Sequence, residues 1–255
     1  MYRNPGPADG IEVVELKGRG RLNILGRATF SDLSERLKEL ETNPKTRVII
    51  ITGVGDGVFS AGMDLLEMKD LNPIDAESLI RLLHQGAKKL LTMAVPTIAA
   101  IRGPCLGGAL EVALACDIRV AGEDALLGLP EVRVGIPSVI EASLLPKTVG
   151  LGRARHLILT GNPVNAQEAF EMGMVDRVVA PGDVIDTASE IAEDLLGMSR
   201  AVLASQKDII AKWLEVSDEE STEFSIQEFI QRFKTSEPKE AMEAYLEERA
   251  PRFGE

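Results

Sequence analysis

The sequence predicts an α/β protein that ends in a helical module, and two observations carry that prediction. Up to about residue 139, short β-branched runs alternate with segments of helical period; beyond it, helical patterns dominate and strand signals thin out. IEVVEL (11–16) reads as the first strand, followed by a helix over 27–42 with Leu33, Leu37 and Leu40 on one face. RVIIITG (47–53) is an unbroken apolar run closed by glycine, the pattern of a strand buried on both sides. VFSAGMDLLEM (58–68) opens like the end of a buried strand and closes like the first turns of an amphipathic helix. A helix over 75–93, a strand PTIAAI (96–101), a helix over 108–116 and a strand DIRVAG (117–122) come next. NAQEAFEMG (165–173) has Asn165 as N-cap, Glu168 at the capping-box position and Gly173 as a C-terminal stop. VDRVV (175–179) is the last strand, and helices are expected over 183–197, 200–214, 222–233 and 238–249. The expected division is a core, 1–195, and a C-terminal helical module, 196–255.

Composition narrows the function. The chain has 255 residues and is 45% hydrophobic, enough for one large core or a core with a small appended module. A formal net charge of −12 argues against nucleic acid as a partner, because a binding face must neutralise phosphates. An anionic ligand would therefore need a local basic patch. MYRNPGPADG lacks the apolar centre of a signal peptide, and runs such as MAVPTIAAI are too short to span a bilayer. A cytoplasmic protein without membrane insertion is expected. Cys105 and Cys116 sit in apolar surroundings and read as buried reduced thiols; with only His84 and His156 in the chain, no metal site is expected. Both histidines read as surface or boundary residues.

Three stretches invite chemistry. In FSAGMD (59–64), a small residue followed by glycine lets backbone approach a ligand, and a helix starting near Asp64 adds its positive end; a tight turn with Asp64 as N-cap is the plainer reading. In GGALE (107–111), the N–H of Gly108 is free to point into a cleft. Two such amides converging on one carbonyl oxygen form an oxyanion hole, in which one donor is typically worth ~3–4 kcal/mol of barrier. Glu111, in the first helical turn, either complements the helix dipole or does acid–base work beside that carbonyl. In GLPEVRVGIPS (128–138), Glu131 lies in an apolar segment, where it either pairs with Arg133, is solvated, or is a reactive acid.

FSAGMDLLEM, GPCLGGALEVALACDIRVA, GLPEVRVGIPS and LTGNPVNAQEAFEMGMVDRVV come in an order and spacing that resemble the enoyl-CoA hydratase/isomerase (crotonase) superfamily, over nearly the whole chain. The resemblance implies a crotonase-like spiral of ββα turns with a C-terminal helical trimerisation module, assembled as a homotrimer or a dimer of trimers. It implies an oxyanion hole from the amides of Ala61 and Gly108, and catalytic acids Glu111 and Glu131. Glu131 would move the proton to the α carbon and Glu111 would activate the water. The acyl-CoA would lie against Arg21, Leu22, Ala61, Gly62, Met63, Asp64, Leu65, Gly107 and Gly108, with Lys17, Arg19 and Arg21 near the nucleotide phosphates, or else only a solvated strand end. Phe229 and Phe233 would help cover a neighbour's CoA site. The implied reaction is hydration of a 2-enoyl-CoA, with no cofactor. Isomerase or thioester hydrolase chemistry, and a silent assembly or RNA-binding relative, are the alternatives.

The chain departs from that pattern after Glu131. Where many hydratases have a Gly-rich PGAGG segment, this one reads IPSVIEASLLP (136–146), placing a third carboxylate, Glu141, on the following helix. An exposed residue or an ion pair is the plain expectation for it; a role in the pocket is the other.

Overall fold

The computed structural model describes residues 8–55 and 57–253. The chain begins with β1 (Ile11–Leu16), α1 (Arg27–Thr42) and β2 (Val48–Gly53), then α2 (Leu65–Met68) and α3 (Pro73–Thr92). β3 (Thr97–Ile101), β4 (Pro104–Leu106) and α4 (Gly108–Ala115) form the next unit, followed by β5 (Ile118–Gly122) and β6 (Leu126–Gly128). Two short helical turns, Glu131–Val134 and Ile140–Leu144, lead into α5 (Leu145–Val149) and α6 (Leu151–Thr160). β7 (Val164–Asn165), α7 (Ala166–Glu171) and β8 (Arg177–Val179) precede α8 (Val184–Leu196), α9 (Arg200–Glu215), α10 (Asp218–Arg232) and α11 (Glu237–Leu246).

The strands form two sheets. One is wholly parallel, in the order β1-β2-β3-β5-β8; the other has the order β4-β6-β7, parallel between β4 and β6 and antiparallel between β6 and β7. Phe59 and Ser60 run alongside β4, where Ser60 N–H donates to Pro104 O at 2.8 Å and Leu106 N–H to Ser60 O at 3.1 Å. Successive units, β3-β4-α4 after β2 and its Phe59–Ser60 partner, thus add one strand to each sheet before a helix closes the turn. That is a ββα spiral.

Period-two alternation explains the unbroken apolar run of β2. Ile49 and Ile51 face the larger core with α1, α3 and α4, while Val48 and Ile50 face a second core under Ala188 and Ala192 of α8. Ala99 and Ile101, against Ile98 and Ala100, repeat the division in β3.

The expected strands and longer helices are present with their ends shifted by a few residues, and α10 starts four residues earlier than periodicity suggested, at Asp218 behind the Ser217 cap. Asn165 and Glu168 form the expected capping box. β4, β6 and β7 have no counterpart in the sequence reading. At two or three residues each, they are too short to display alternation. Lys207 of α9 reaches into the core, donating to Asp117 at 2.6 Å and to the carbonyls of Leu90 and Val95. Cys105 and Cys116 are free and buried, as expected.

Candidate active site

The sharp bends that meet at the site are built from glycine. Gly62 has φ +103, and a Cβ there would stand 2.9 Å from Leu106 O, so neither the conformation nor the space admits a side chain. Gly107, the residue before α4, has φ +58 and ψ −131; a Cβ there would stand 2.7 Å from Glu131 Oε1. Glu131 therefore packs its carboxyl directly on the Gly107 backbone. Asn23, buried and at φ +50, ties the FSAG loop to the first strand by donating to Leu16 O at 2.8 Å and Phe59 O at 2.7 Å while accepting from Gly18 N–H.

The hydrogen bonds in this loop correct the expected oxyanion hole. Ala61 N–H donates to Leu22 O at 2.9 Å, so it is already committed within the chain. Gly62 N–H donates to Ser60 Oγ and Asp64 N–H to Leu25 O. Between them, Met63 pairs with Leu25 through neighbouring groups only, and its own N–H has no acceptor among the described residues. Gly108 N–H, first in α4, has none either. The two residues adjoin, since a Cβ on Gly108 would lie 3.1 Å from Met63 Sδ. The free amides of this site belong to Met63 and Gly108. The family resemblance placed the donor on the small residue of the Ala61–Gly62 pair, whereas the strand-like pairing around Leu25 determines which N–H turns away.

The other expected contact residues are distributed around this pair. Asp64 caps α2, accepting from Leu66 N–H and Glu67 N–H, and receives Arg19 at 2.8 Å. Arg19 is thereby engaged with a carboxylate. Arg21, Leu22 and Leu65 are exposed on the outer side of the loop, and Leu22 contributes the carbonyl that holds Ala61. Gly107 N–H donates to Gly128 O, fixing α4 to β6.

Two carboxyls flank the amide pair. Glu111, one turn into α4, is 4% exposed; its Oε1 accepts Ala142 N–H at 2.9 Å and its Oε2 has no donor among the described residues. Glu131 accepts Ser138 Oγ at 2.7 Å through Oε2, leaving Oε1 beside Gly107. Each acid is thus held by one oxygen and keeps the other free. Arg133 is turned away from Glu131, toward Thr160 O and the Asn162 side chain. Glu141 is buried, and its Oε1 lies 2.7 Å from Nδ1 of His84, whose side chain is 42% exposed. An ion-pair role for Glu141 was among the expectations; His84 as its partner, with Ser138 and the Ala142 amide holding the acids, was not. IPS and EAS offered no signal, because contacts between α3, α4 and the turn after Glu131 depend on packing.

Burial pushes the Glu111 carboxyl up to about 8, opposed by the Ala142 N–H and reinforced by the charges of Glu131 and Glu141. A folded-state value above the unfolded one means stability that is full below about 4.5 and is lost as pH rises through about 8. Glu111→Gln keeps the bond from Ala142 and abolishes this linkage. Urea unfolding should show the wild type losing roughly 3–5 kcal/mol relative to the variant between mildly acid and alkaline pH. Parallel stability curves for the two proteins would refute the raised value.

Comparisons with known proteins show the family. The family model described as enoyl-CoA hydratase/isomerase matches residues 7–255. A short-chain-enoyl-CoA hydratase of Clostridium acetobutylicum is 33% identical over 240 residues, 94% of this chain and 92% of that protein. A crotonyl-CoA hydratase of Syntrophomonas wolfei is 32% identical over 233 residues, 91% and 90% of the two chains. The crystal structure of an enoyl-CoA hydratase from Bacillus anthracis superimposes with a TM-score of 0.91 at 30% identity, covering 99% of this chain and 97% of the other.

Proposed function

The chain belongs to the enoyl-CoA hydratase/isomerase family, and from that premise we infer that it is an enoyl-CoA hydratase, a hydro-lyase that adds water across the 2,3 double bond of a 2-enoyl-CoA to give a 3-hydroxyacyl-CoA. The observation that carries the reaction is the pair of half-held carboxyls, Glu111 and Glu131, beside two unpaired amides.

The thioester oxygen is bound by the N–H groups of Met63 and Gly108. Their fixed dipoles, with the N-terminus of α4 behind Gly108, stabilise the negative charge that develops as the thioester becomes an enolate. Polarisation by backbone is sufficient for this step, so the proposed chemistry uses no cofactor. Water sits between the free oxygens of Glu111 and Glu131. Hydration takes one proton to the α carbon and releases one from water, so the two acids must hold a single proton between them and recover it each turnover. A Glu111 carboxyl raised to about 8 keeps a proton in the site at neutral pH. Glu131 delivers it to the α carbon and Glu111 activates the water, the proton passing between them through that water.

Oligomerisation and CoA binding extend the reading. The C-terminal helices expose Trp213, Phe229, Ile230, Phe233 and Leu246, an apolar surface that suits a trimer or a dimer of trimers. Lys17, Arg19 and Arg21 are the cations near the loop for the nucleotide phosphates, with Arg19 exchanging Asp64 for phosphate. Among the described residues no helix is long and apolar enough to cross a membrane. Two buried free thiols suit a reducing compartment such as the cytoplasm.

Incubating the protein with crotonyl-CoA in heavy-oxygen water tests the reaction. Loss of enoyl absorbance with label in 3-hydroxybutyryl-CoA is the expected result. Label only in a free acid would replace the reading with thioester hydrolysis.

A further inference from the structure

The turn Ile140–Leu144 packs against α4 beside Glu111. Its Ala142 amide holds Glu111 Oε1, and the preceding side chain, Glu141, is turned inward to 4% exposure. Only one Glu141 oxygen is satisfied: Oε1 meets His84 Nδ1, while Oε2 is buried and receives no hydrogen bond. Native interiors leave few polar atoms in that condition, so a role is called for. The backbone is also strained there. Ile140, β-branched, has φ +44, a conformation kept only when the surroundings insist on it.

The groups that act on Glu141 are His84 and Lys88 from α3; Glu141 in turn acts on Glu111 of α4. Burial pushes the Glu141 carboxyl above its usual range and His84 draws it part of the way back. His84 is partly exposed, so it connects this buried carboxyl to solvent. A negative charge on Glu141 makes loss of a proton from Glu111 harder.

We propose that Glu141 is a positioning residue for charge: paired with His84, it stands behind Glu111 and helps retain the reacting proton there, and His84 sets how much negative charge Glu141 presents. This rests on Glu111 being one of the two reacting carboxyls. The arrangement links a partly exposed imidazole to a buried acid through Glu141.

The test reads Glu111 directly. Protonated buried carboxyls have an infrared carbonyl stretch, and the band absent from Glu111→Gln reports Glu111 alone. Glu141→Gln keeps the shape and removes the charge, and should lower the midpoint of that band's titration by about one pH unit. The alkaline limb of kcat/KM for crotonyl-CoA should move by the same amount in the same direction. His84→Gln should shift the midpoint in the wild-type background and leave it unmoved in the Glu141→Gln background. An unchanged midpoint in Glu141→Gln, with or without a lower melting temperature, overturns the proposal and leaves Glu141 a structural residue. Because the infrared titration needs no turnover, a shifted midpoint in a protein that hydrates nothing would separate failure of the hydratase reading from failure of this one.

Discussion

Glu131→Gln should lower kcat by about a hundred- to ten-thousandfold while CoA thioesters still bind within a few-fold of wild type, the range spanned by loss of one general acid–base group. Glutamine preserves the volume packed against the Gly107 backbone and can still accept from Ser138 Oγ, so the change removes the proton and little else. Glu111→Gln should cause a loss of similar size, since it too keeps its bond, from Ala142 N–H. The double variant distinguishes a concerted pair from two independent helpers. If both acids act on one water, removing the second costs far less than removing it from the wild type, because the unit has already failed. Stopped-flow turnover with crotonyl-CoA, alongside calorimetric binding of a saturated acyl-CoA, measures both halves. Full turnover in Glu131→Gln would take that residue out of the mechanism.

Replacing the Met63 peptide amide by an ester, which exchanges the N–H for oxygen, should reduce kcat by about a hundred- to thousandfold, equivalent to ~3–4 kcal/mol of lost oxyanion stabilisation. The same exchange at Ala61 should leave kcat near wild type. Its N–H is spent on Leu22 O, so its loss should appear as roughly 1 kcal/mol of stability and not in the barrier. The two substitutions lie two residues apart on one loop, which makes the contrast sharp. A large effect at Ala61 with none at Met63 would restore the original assignment and require the loop to rearrange when substrate binds.

Much of this protein is legible in its sequence because the informative patterns are local. Ile49 and Ile51 alternate with Val48 and Ile50 in one unbroken run, and such a run bounded by glycine is a buried parallel strand before any fold is known. Asn165 and Glu168 form a capping box whose partners are three residues apart. The two acids could be singled out because FSAGMD, GGALE and GLPEV are motifs with a recognisable order, even though each alone has a plain structural explanation. The free amide lies at Met63, two residues beyond the Ala61 that the family resemblance implied, for an equally physical reason. Side-chain size says where backbone can approach a ligand, but the direction of an N–H depends on which neighbours claim the adjoining amides. Here Leu22 and Leu25, remote in sequence from the loop, make that choice.

Glu141 shows the same limit from the other side. Its sequence context reads as a surface helix, yet Ile140 takes a positive φ and turns it inward onto His84, a residue fifty-seven positions earlier. By itself the sequence determined the strands of the five-stranded sheet and the longer helices, and singled out the two candidate acids and the glycines, because propensity, periodicity and motif spacing are properties of neighbouring residues. Only the tertiary structure decided which amides are left free, which oxygen of each acid is held, and that a third carboxyl lies behind Glu111. Those are outcomes of hydrogen-bond competition and burial among segments far apart in the chain, and no local pattern encodes them.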